Sequence, residues 1–333
     1  MKECLVAVDV GGTNIASGLV DFQGNVLARG KKPTCAGTGV QNVLGRIMDA
    51  VAAEIEKSQA LGCTPVGVGL GIPGLQDSLK GLSYSAANLD PAWKQIKVTA
   101  QVEQRFGLPA EMDNDVRCHA LGEKLYGAGR GVENLILITL GTGIGAGIFL
   151  NGKMFYGAGG CGGEVGHVTI MEDGPLCSCG NHGCVEALCG APGISRRARE
   201  EIAAGVQSKI LALAGGDLNA VTPKLIYEAA LAGDPLAEKV MAQTGNYLGI
   251  AMAGVVNIIN PELLIIGGGV AGAGEMLIGK VRETIKKRAM AQQAALVKVV
   301  SAELGEDAGL IGAAMLLPVR GRIDSQRMEQ NLR

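Results

Sequence analysis

The sequence predicts an α/β protein built in two halves, and three observations carry that expectation. Glycine is abundant, 52 of 333 residues, while aromatic residues make up only 3%. That profile suits many tight turns between buried strands and helices, not an all-β binding module. A unit of strand, Gly/Thr turn and strand opens the chain at Cys4 and returns at Leu135, so two similar hairpins belong to one fold. The length corresponds to about two domains at roughly 150 residues each. Hydrophobic residues reach 47% and charged residues 19%, enough apolar material for large cores and too little charge for disorder. A formal net charge of -2 leaves no basic footprint for nucleic acid and no polybasic membrane anchor.

The elements follow in order. Cys4 to Val10 reads as a buried strand, Gly11-Gly12-Thr13-Asn14 as a tight turn, Ile15 to Asp21 as the returning strand and Val26 to Lys32 as a third. Val43, Leu44, Ile47, Val51 and Ile55 recur at helical spacing, which predicts a helix over Val40 to Gln59. Val66 to Ile72 is a strand ending at Pro73-Gly74, and Leu75 to Lys97 reads mostly as loop. A short helix over Val98 to Phe106 precedes a strand at Pro109 to Met112, which delivers Asp113-Asn114-Asp115 to a helix starting near Val116. The second half repeats the opening: strand Leu135 to Leu140, turn Gly141 to Gly145, strand Ala146 to Leu150. Helices are expected over Ser195 to Ala204, Ser208 to Ala214, Thr222 to Ala232 and Pro235 to Asn257. Strand Leu263 to Ile266 then runs into Gly267-Gly268-Gly269, followed by helix Met276 to Met290, strand Val297 to Ser301 and a final helix from Leu310. The charged last dozen residues are expected to fray. Val240 to Pro261 carries no charge, but its Gln and Asn residues and its Asn260-Pro261 break fit a buried helix better than a membrane span.

The opening residues show no signal-peptide pattern, and nine cysteines are not spread as a disulfide framework. Both point to the cytoplasm. Four of the cysteines fall between Cys177 and Cys189. Cys177, Cys179 and Cys184 follow Cys-x-Cys-x₄-Cys with His167 upstream. Three thiolates and one imidazole complete a tetrahedral zinc set, and a set filled by protein is structural. His182 is a rival fourth ligand, but it sits inside the tight knuckle.

Asp9-Val10-Gly11-Gly12-Thr13-Asn14 places a carboxylate at a strand end followed by exposed backbone amides, a pattern that can cradle phosphate. Thr139 to Gly145 echoes it. Gly69 to Gly74 fits a dinucleotide fingerprint but runs into Pro73 and a polar loop, and Gly274 to Lys280 lacks the Ser or Thr of a P-loop. Both are discounted. Asn88, Asn114, Asp115, Glu164, His167 and Glu186 supply carboxylate, amide and imidazole groups suited to a ligand rich in hydroxyls. Asp115, opening a helix, reads equally well as a cap.

Together these motifs resemble the ROK family of bacterial sugar kinases and sugar-responsive repressors. The resemblance rests on Asp9 to Asn14, Leu140 to Gly147, Gly163-Glu164-Val165-Gly166-His167, Cys177 to Glu186, and Asn260 to Gly269. It implies the two-domain actin/hexokinase-like (ribonuclease H-like) fold with its active site in a cleft. The small domain would span 1–118 plus a returning helix within 309–333, and the large domain 119–308. It implies Asp115 as catalytic base and Asn88, Asn114, Glu164, His167 and Glu186 as sugar contacts. Asp9, Gly11, Gly12, Thr13 and Asn14, Gly141, Thr142 and Gly143, and Gly267, Gly268 and Gly269 would hold ATP, accompanied by Mg²⁺, and His167, Cys177, Cys179 and Cys184 would hold structural Zn²⁺. Ala87-Asn88-Leu89 followed by Trp93 resembles the members that phosphorylate glucose at O6, the first step of its metabolism through glycolysis. Kinases for N-acetylmannosamine or N-acetylglucosamine stand next. The repressor reading lacks room for a DNA-binding segment before Asp9, and a silent sugar sensor conflicts with the intact motifs. Polyphosphate remains a rival donor, and a homodimer or homotetramer is expected. His119 departs from the small residues usual there and is read as a helix-packing residue.

Overall fold

The computed structural model describes residues 2–86 and 88–325. Ala87 and residues 326–333, most of the tail expected to fray, lie outside the described residues. In chain order the strands are β1 (Lys2–Val10), β2 (Asn14–Val20), β3 (Val26–Pro33), β4 (Cys63–Ile72), β5 (Leu75–Asp77), β6 (Leu82–Ser85), β7 (Lys94–Lys97), β8 (Ala110–Asn114), β9 (Leu135–Leu140), β10 (Ile144–Leu150), β11 (Lys153–Met154), β12 (Leu263–Gly267) and β13 (Lys298–Ser301). The helices are α1 (Val40–Ala60), α2 (Val98–Phe106), α3 (Asp115–Tyr126), α4 (Val185–Cys189), α5 (Ala191–Ala203), α6 (Lys209–Leu213), α7 (Pro223–Leu231), α8 (Pro235–Ile259), α9 (Glu275–Arg288), α10 (Ala291–Leu296) and α11 (Asp307–Val319). Two compact units emerge: Met1–Gly131 with Lys153–Gly163 and Glu303–Arg333, and Val132–Gly152 with Glu164–Ala302.

In the first unit the sheet runs β3-β2-β1-β4-β8, with β1 antiparallel to β2 and parallel to β4. β1 reads as a continuous apolar run because both of its faces are covered. One face meets α1, through Val43, Leu44, Ile47 and Val51. The other meets α11, whose residues from Ala308 to Pro318 are all buried. A helix apolar on every side is a core helix.

The whole of α3 stays with this unit and does not divide at residue 118, because it crosses α11 at backbone contact. A Cβ on Gly312 would overlap the carbonyl oxygen of Cys118. Gly312→Ala should therefore cost about 1–3 kcal/mol, the usual penalty of overpacking, seen as a lower urea midpoint. Gly45→Ala in α1, where the added methyl meets open space, should be neutral or stabilising by about 0.4–1 kcal/mol. Equal effects at the two sites would contradict this packing.

The stretch expected to be mostly loop, Leu75 to Lys97, instead forms a three-stranded sheet, β5-β6-β7. Its strands are three or four residues long, too short for a period of two to emerge from sequence. Trp93 is buried there and donates from Nε1 to Ser83 Oγ at 2.9 Å.

In the second unit β10, β9, β12 and β13 lie side by side, β9 antiparallel to β10 and parallel to β12. That is the pairing of β2, β1 and β4 repeated, as the duplicated hairpins predict. Helices α4 to α9 line its core. Among the described residues no helix is long and apolar enough to cross a membrane. α8 begins at Asp234, whose side chain accepts from Ala237 N, and stops at Asn260 in the left-handed conformation.

Candidate active site

In the first unit, Asp9 lies near the C-terminal end of the central strand β1, and the turn to β2 exposes Gly12 and Thr13. The turn is braced from β3: Thr34 Oγ1 donates to Gly11 O at 2.6 Å and Thr34 N donates to Thr13 O at 2.9 Å. Asn88 is exposed, and its carbonyl oxygen lies 3.5 Å from where a Cβ of Gly12 would stand.

β8, parallel to β4 and β1, brings Asn114 and Asp115 to the same C-terminal end of the strands. Its end is fixed through buried Asp113. Oδ1 accepts from Ser78 Oγ at 2.7 Å and from Asn114 N at 2.7 Å, while Oδ2 accepts from Tyr156 OH at 2.8 Å and from Arg320. Asn114 caps α3: its Oδ1 accepts from Val116 N at 3.0 Å and Arg117 N at 3.3 Å, and its Nδ2 donates to Gly74 O at 3.3 Å. The side-chain cap of α3 is therefore Asn114, and Asp115 stands in the first turn, where the backbone amides of Val116 and of Asp115 itself partly hold its carboxyl down. Burial, then the charge of Asp9, raise Asp115 to about 6, against the opposing influence of His119. Asp9 is also raised, by burial first. Two acidic groups in one low-dielectric place resist ionising together.

In the second unit the turn of β9 and β10 is tied down by Ala191 N donating to Gly141 O at 2.8 Å and Gly141 N donating to Gly143 O at 3.0 Å. The glycine turn after β12 comes against it. Gly268 has φ 84, and a Cβ there would stand 2.5 Å from Leu140 O, so only glycine fits. Gly141, Thr142, Gly269, Thr222, Tyr227 and Met241 are among the lining residues of a cavity of ≈ 550 Å³ whose walls are mainly apolar. A flat apolar-faced group fits such a space, with its anionic end at the exposed amides of Thr142 and Gly143. Thr222, Tyr227, Glu228 and Met241 of this cavity escaped the sequence reading, since their spacing on α7 and α8 registers only as helix packing.

The cysteine knuckle folds in the same unit. His167 ends a 3₁₀ turn, Val165–His167. The four donor atoms of His167, Cys177, Cys179 and Cys184 lie within 4.8 Å of one another. Cys179 Sγ and Cys184 Sγ are 3.8 Å apart, close to the ~3.8 Å edge of a tetrahedron with metal–sulfur bonds of about 2.3 Å. His167 Nδ1 faces Cys177 Sγ at 3.6 Å, and Nε2 faces Glu164 Oε2 at 4.0 Å. Burial, then the neighbouring thiols, push Cys184 up to about 12, while the Asn181 backbone amide lowers Cys179. Crowded thiols oppose one another's ionisation, and a divalent cation removes that opposition. The set can hold such an ion. His182 is turned elsewhere, its Nδ1 3.1 Å from Gly174 O.

Glu186, in the first turn of α4, links knuckle and turn. Oε1 accepts from Ser178 Oγ at 2.7 Å, and Oε2 accepts from Ile144 N at 2.9 Å. His119 occupies a place its sequence position did not disclose, with Nε2 3.9 Å from Asp9 Oδ2 and Nδ1 2.9 Å from Asp115 O.

A model of the ROK family matches residues 5–320. The chain is 36% identical over 316 residues to a glucokinase of Thermotoga maritima, covering 95% of this chain and 98% of that one. A solved ROK family glucokinase from Streptomyces griseus, in complex with glucose and AMPPNP, superposes with a TM-score of 0.83 at 34% identity, covering 94% of this chain and 98% of that one. A ROK family transcriptional regulator, a homologue of the E. coli MLC protein, superposes with a TM-score of 0.87 at 28% identity, covering all of this chain and 80% of that one. The fold is the actin/hexokinase-like α/β fold of these neighbours.

Proposed function

The chain belongs to the ROK family, and from that premise we propose that it is an ATP-dependent glucokinase, transferring the γ-phosphoryl group of ATP to O6 of glucose. The observation that carries this reading is Asp115, half-buried and raised to about 6 by burial and the neighbouring Asp9 charge, with the capping of α3 done by Asn114. A base poised just below neutral pH suits abstraction of a hydroxyl proton. The near full-length likeness to glucokinases supports the choice of sugar and donor.

Each unit contributes its own groups. In the first, Asp115 accepts the O6 proton as that oxygen attacks the γ-phosphorus and the bond to the ADP oxygen breaks. Asn88 and Asn114 serve as sugar contacts, Asn114 through whatever capacity its cap and Gly74 bonds leave. Asp9 and the Gly11 to Asn14 turn face the phosphates. In the second, the ≈ 550 Å³ cavity receives adenine, and the Gly141 to Gly143 turn, together with Gly267 to Gly269, receives the phosphates. Glu164, His167 and Glu186 read the sugar hydroxyls. Magnesium accompanying ATP would neutralise charge on the phosphates. Phosphoryl transfer is loose, so positioning and charge stabilisation matter more than a strong base.

His167, Cys177, Cys179 and Cys184 would hold zinc, which supplies a fixed scaffold and no open coordination position. His167, whose Nδ1 faces Cys177 Sγ, would keep Nε2 for Glu164 or a sugar hydroxyl.

A coupled assay over a panel of hexoses with ATP tests the substrate. Glucose should give the highest kcat/KM, with fructose far below it. A higher kcat/KM for N-acetylmannosamine or N-acetylglucosamine would overturn the glucose assignment.

A further inference from the structure

We propose that His119 is a positioning residue for the transfer: as the imidazolium it spans from the backbone of Asp115 to the carboxylate of Asp9, offsets the repulsion between the two acids, and so keeps Asp115 in its ionised, base-competent form. The inference rests on the reading of Asp115 as the base.

The helix supplies the placement, because residue 119 stands one turn beyond residue 115 on the same face. Nδ1 lies 2.9 Å from the carbonyl oxygen of Asp115. A carbonyl can only accept, so Nδ1 carries the proton of that bond. Nε2 is then the nitrogen left to face Asp9 Oδ2, 3.9 Å away. A neutral ring would present a lone pair to the carboxylate there, whereas the imidazolium presents an N–H.

Glycines of α11 and β4 stand over the group. Gly309 of α11 covers one side: a Cβ there would overlap Asp9 Oδ2 and stand 2.8 Å from His119 Cε1. Gly71 of β4 covers another: a Cβ there would stand 3.2 Å from Asp9 Oδ1 and 3.4 Å from Asp115 Cα. The other charged or titratable groups nearby are already committed or neutral. Cys118, on α3, is buried and its thiol is pushed well up by that burial. Asp113, at the end of β8, is matched by Arg117 and Arg320. Asp307, at the start of α11, is paired with Arg29. Among the described residues, His119 is the basic side chain placed against both Asp9 Oδ2 and the backbone of Asp115. Its influence opposes the burial that raises Asp9, and opposes both burial and the Asp9 charge at Asp115.

Removing the cation moves Asp115 further up, so less of it is ionised in mildly acidic solution. The test is the pH profile of kcat/KM for glucose, which reports groups of the free enzyme, in His119→Gln and His119→Ala. The Gln variant keeps a donor of similar reach without the charge. In both, the acid limb should move to higher pH by about 0.5–1 unit, roughly a three- to tenfold loss at pH 5.5, with values at pH 8.5 within about twofold of the parent. A limb unmoved in the Gln variant overturns the proposal, as does an equal loss at every pH, which is what a packing role alone produces. Asp115→Asn measured alongside separates the two claims. If it retains turnover, the base reading fails and this inference with it. If it is inactive while the limb stays put, only the role of His119 fails.

Discussion

Asp115→Asn should cut kcat by about 10²–10⁴, the usual contribution of a positioned general base, while leaving KM for glucose and ATP nearly unchanged. The amide is almost isosteric and still accepts a hydrogen bond from a hydroxyl, but it cannot take the proton. Helix α3 should be indifferent to the change, because its cap is Asn114. The folded-state value of Asp115, about 6, lies above the ordinary carboxylate value of 3.8. A raised acid favours the folded state fully below its unfolded value, and that contribution is lost as pH rises through about 6. At pH 8 the ionised carboxylate is a cost, so Asn should hold or raise the thermal midpoint. In the parent enzyme, kcat/KM for glucose should fall as pH drops through about 6 and the base becomes protonated. Calorimetric glucose binding together with steady-state kinetics decides the matter: binding kept and turnover lost supports the base, and near-normal turnover excludes it.

Cys179→Ser should reduce bound zinc from about one per chain to near none and weaken glucose binding by about 10–100-fold. The loss reaches the sugar contacts because they hang from the same backbone. His167 is itself a donor, Glu164 lies three residues before it, and Glu186 follows Cys184 by two. Glu186 also holds Ser178 and Ile144 N, so a loosened knuckle should disturb the Gly141 to Gly143 turn as well. The thermal midpoint should fall, since a structural ion contributes its binding energy to folding. Elemental analysis of freshly purified reduced protein, with calorimetry on the same sample, checks this. No zinc in the parent, or unchanged glucose affinity in a metal-free variant, contradicts it.

The parts of the site legible in the sequence were those written by local chemistry. The two turns announced themselves because glycines and threonines follow apolar strands at Val10 and Leu140. The knuckle announced itself because metal geometry demands fixed cysteine spacing, and the four donors gather within 4.8 Å. What sequence left open was decided by tertiary placement. Asp113-Asn114-Asp115 offered more than one cap for α3, until Asn114 Oδ1 took the helix amides. His119 looked like packing because its partner Asp9 comes from a strand more than a hundred residues earlier. Thr222, Tyr227 and Met241 converge on one cavity from two helices, and nothing in an amphipathic period marks which buried position lines a space and which fills one. β5 to β7 escaped because strands so short carry no period.

The central claim is phosphoryl transfer from ATP to O6 of glucose, and product identification tests it most directly. Purified protein incubated with glucose, ATP and magnesium, followed by ³¹P and ¹³C NMR, should yield ADP and glucose 6-phosphate in equal amounts. ATP left intact, ADP formed with free phosphate and no sugar ester, or a phosphate ester on another hydroxyl would contradict it.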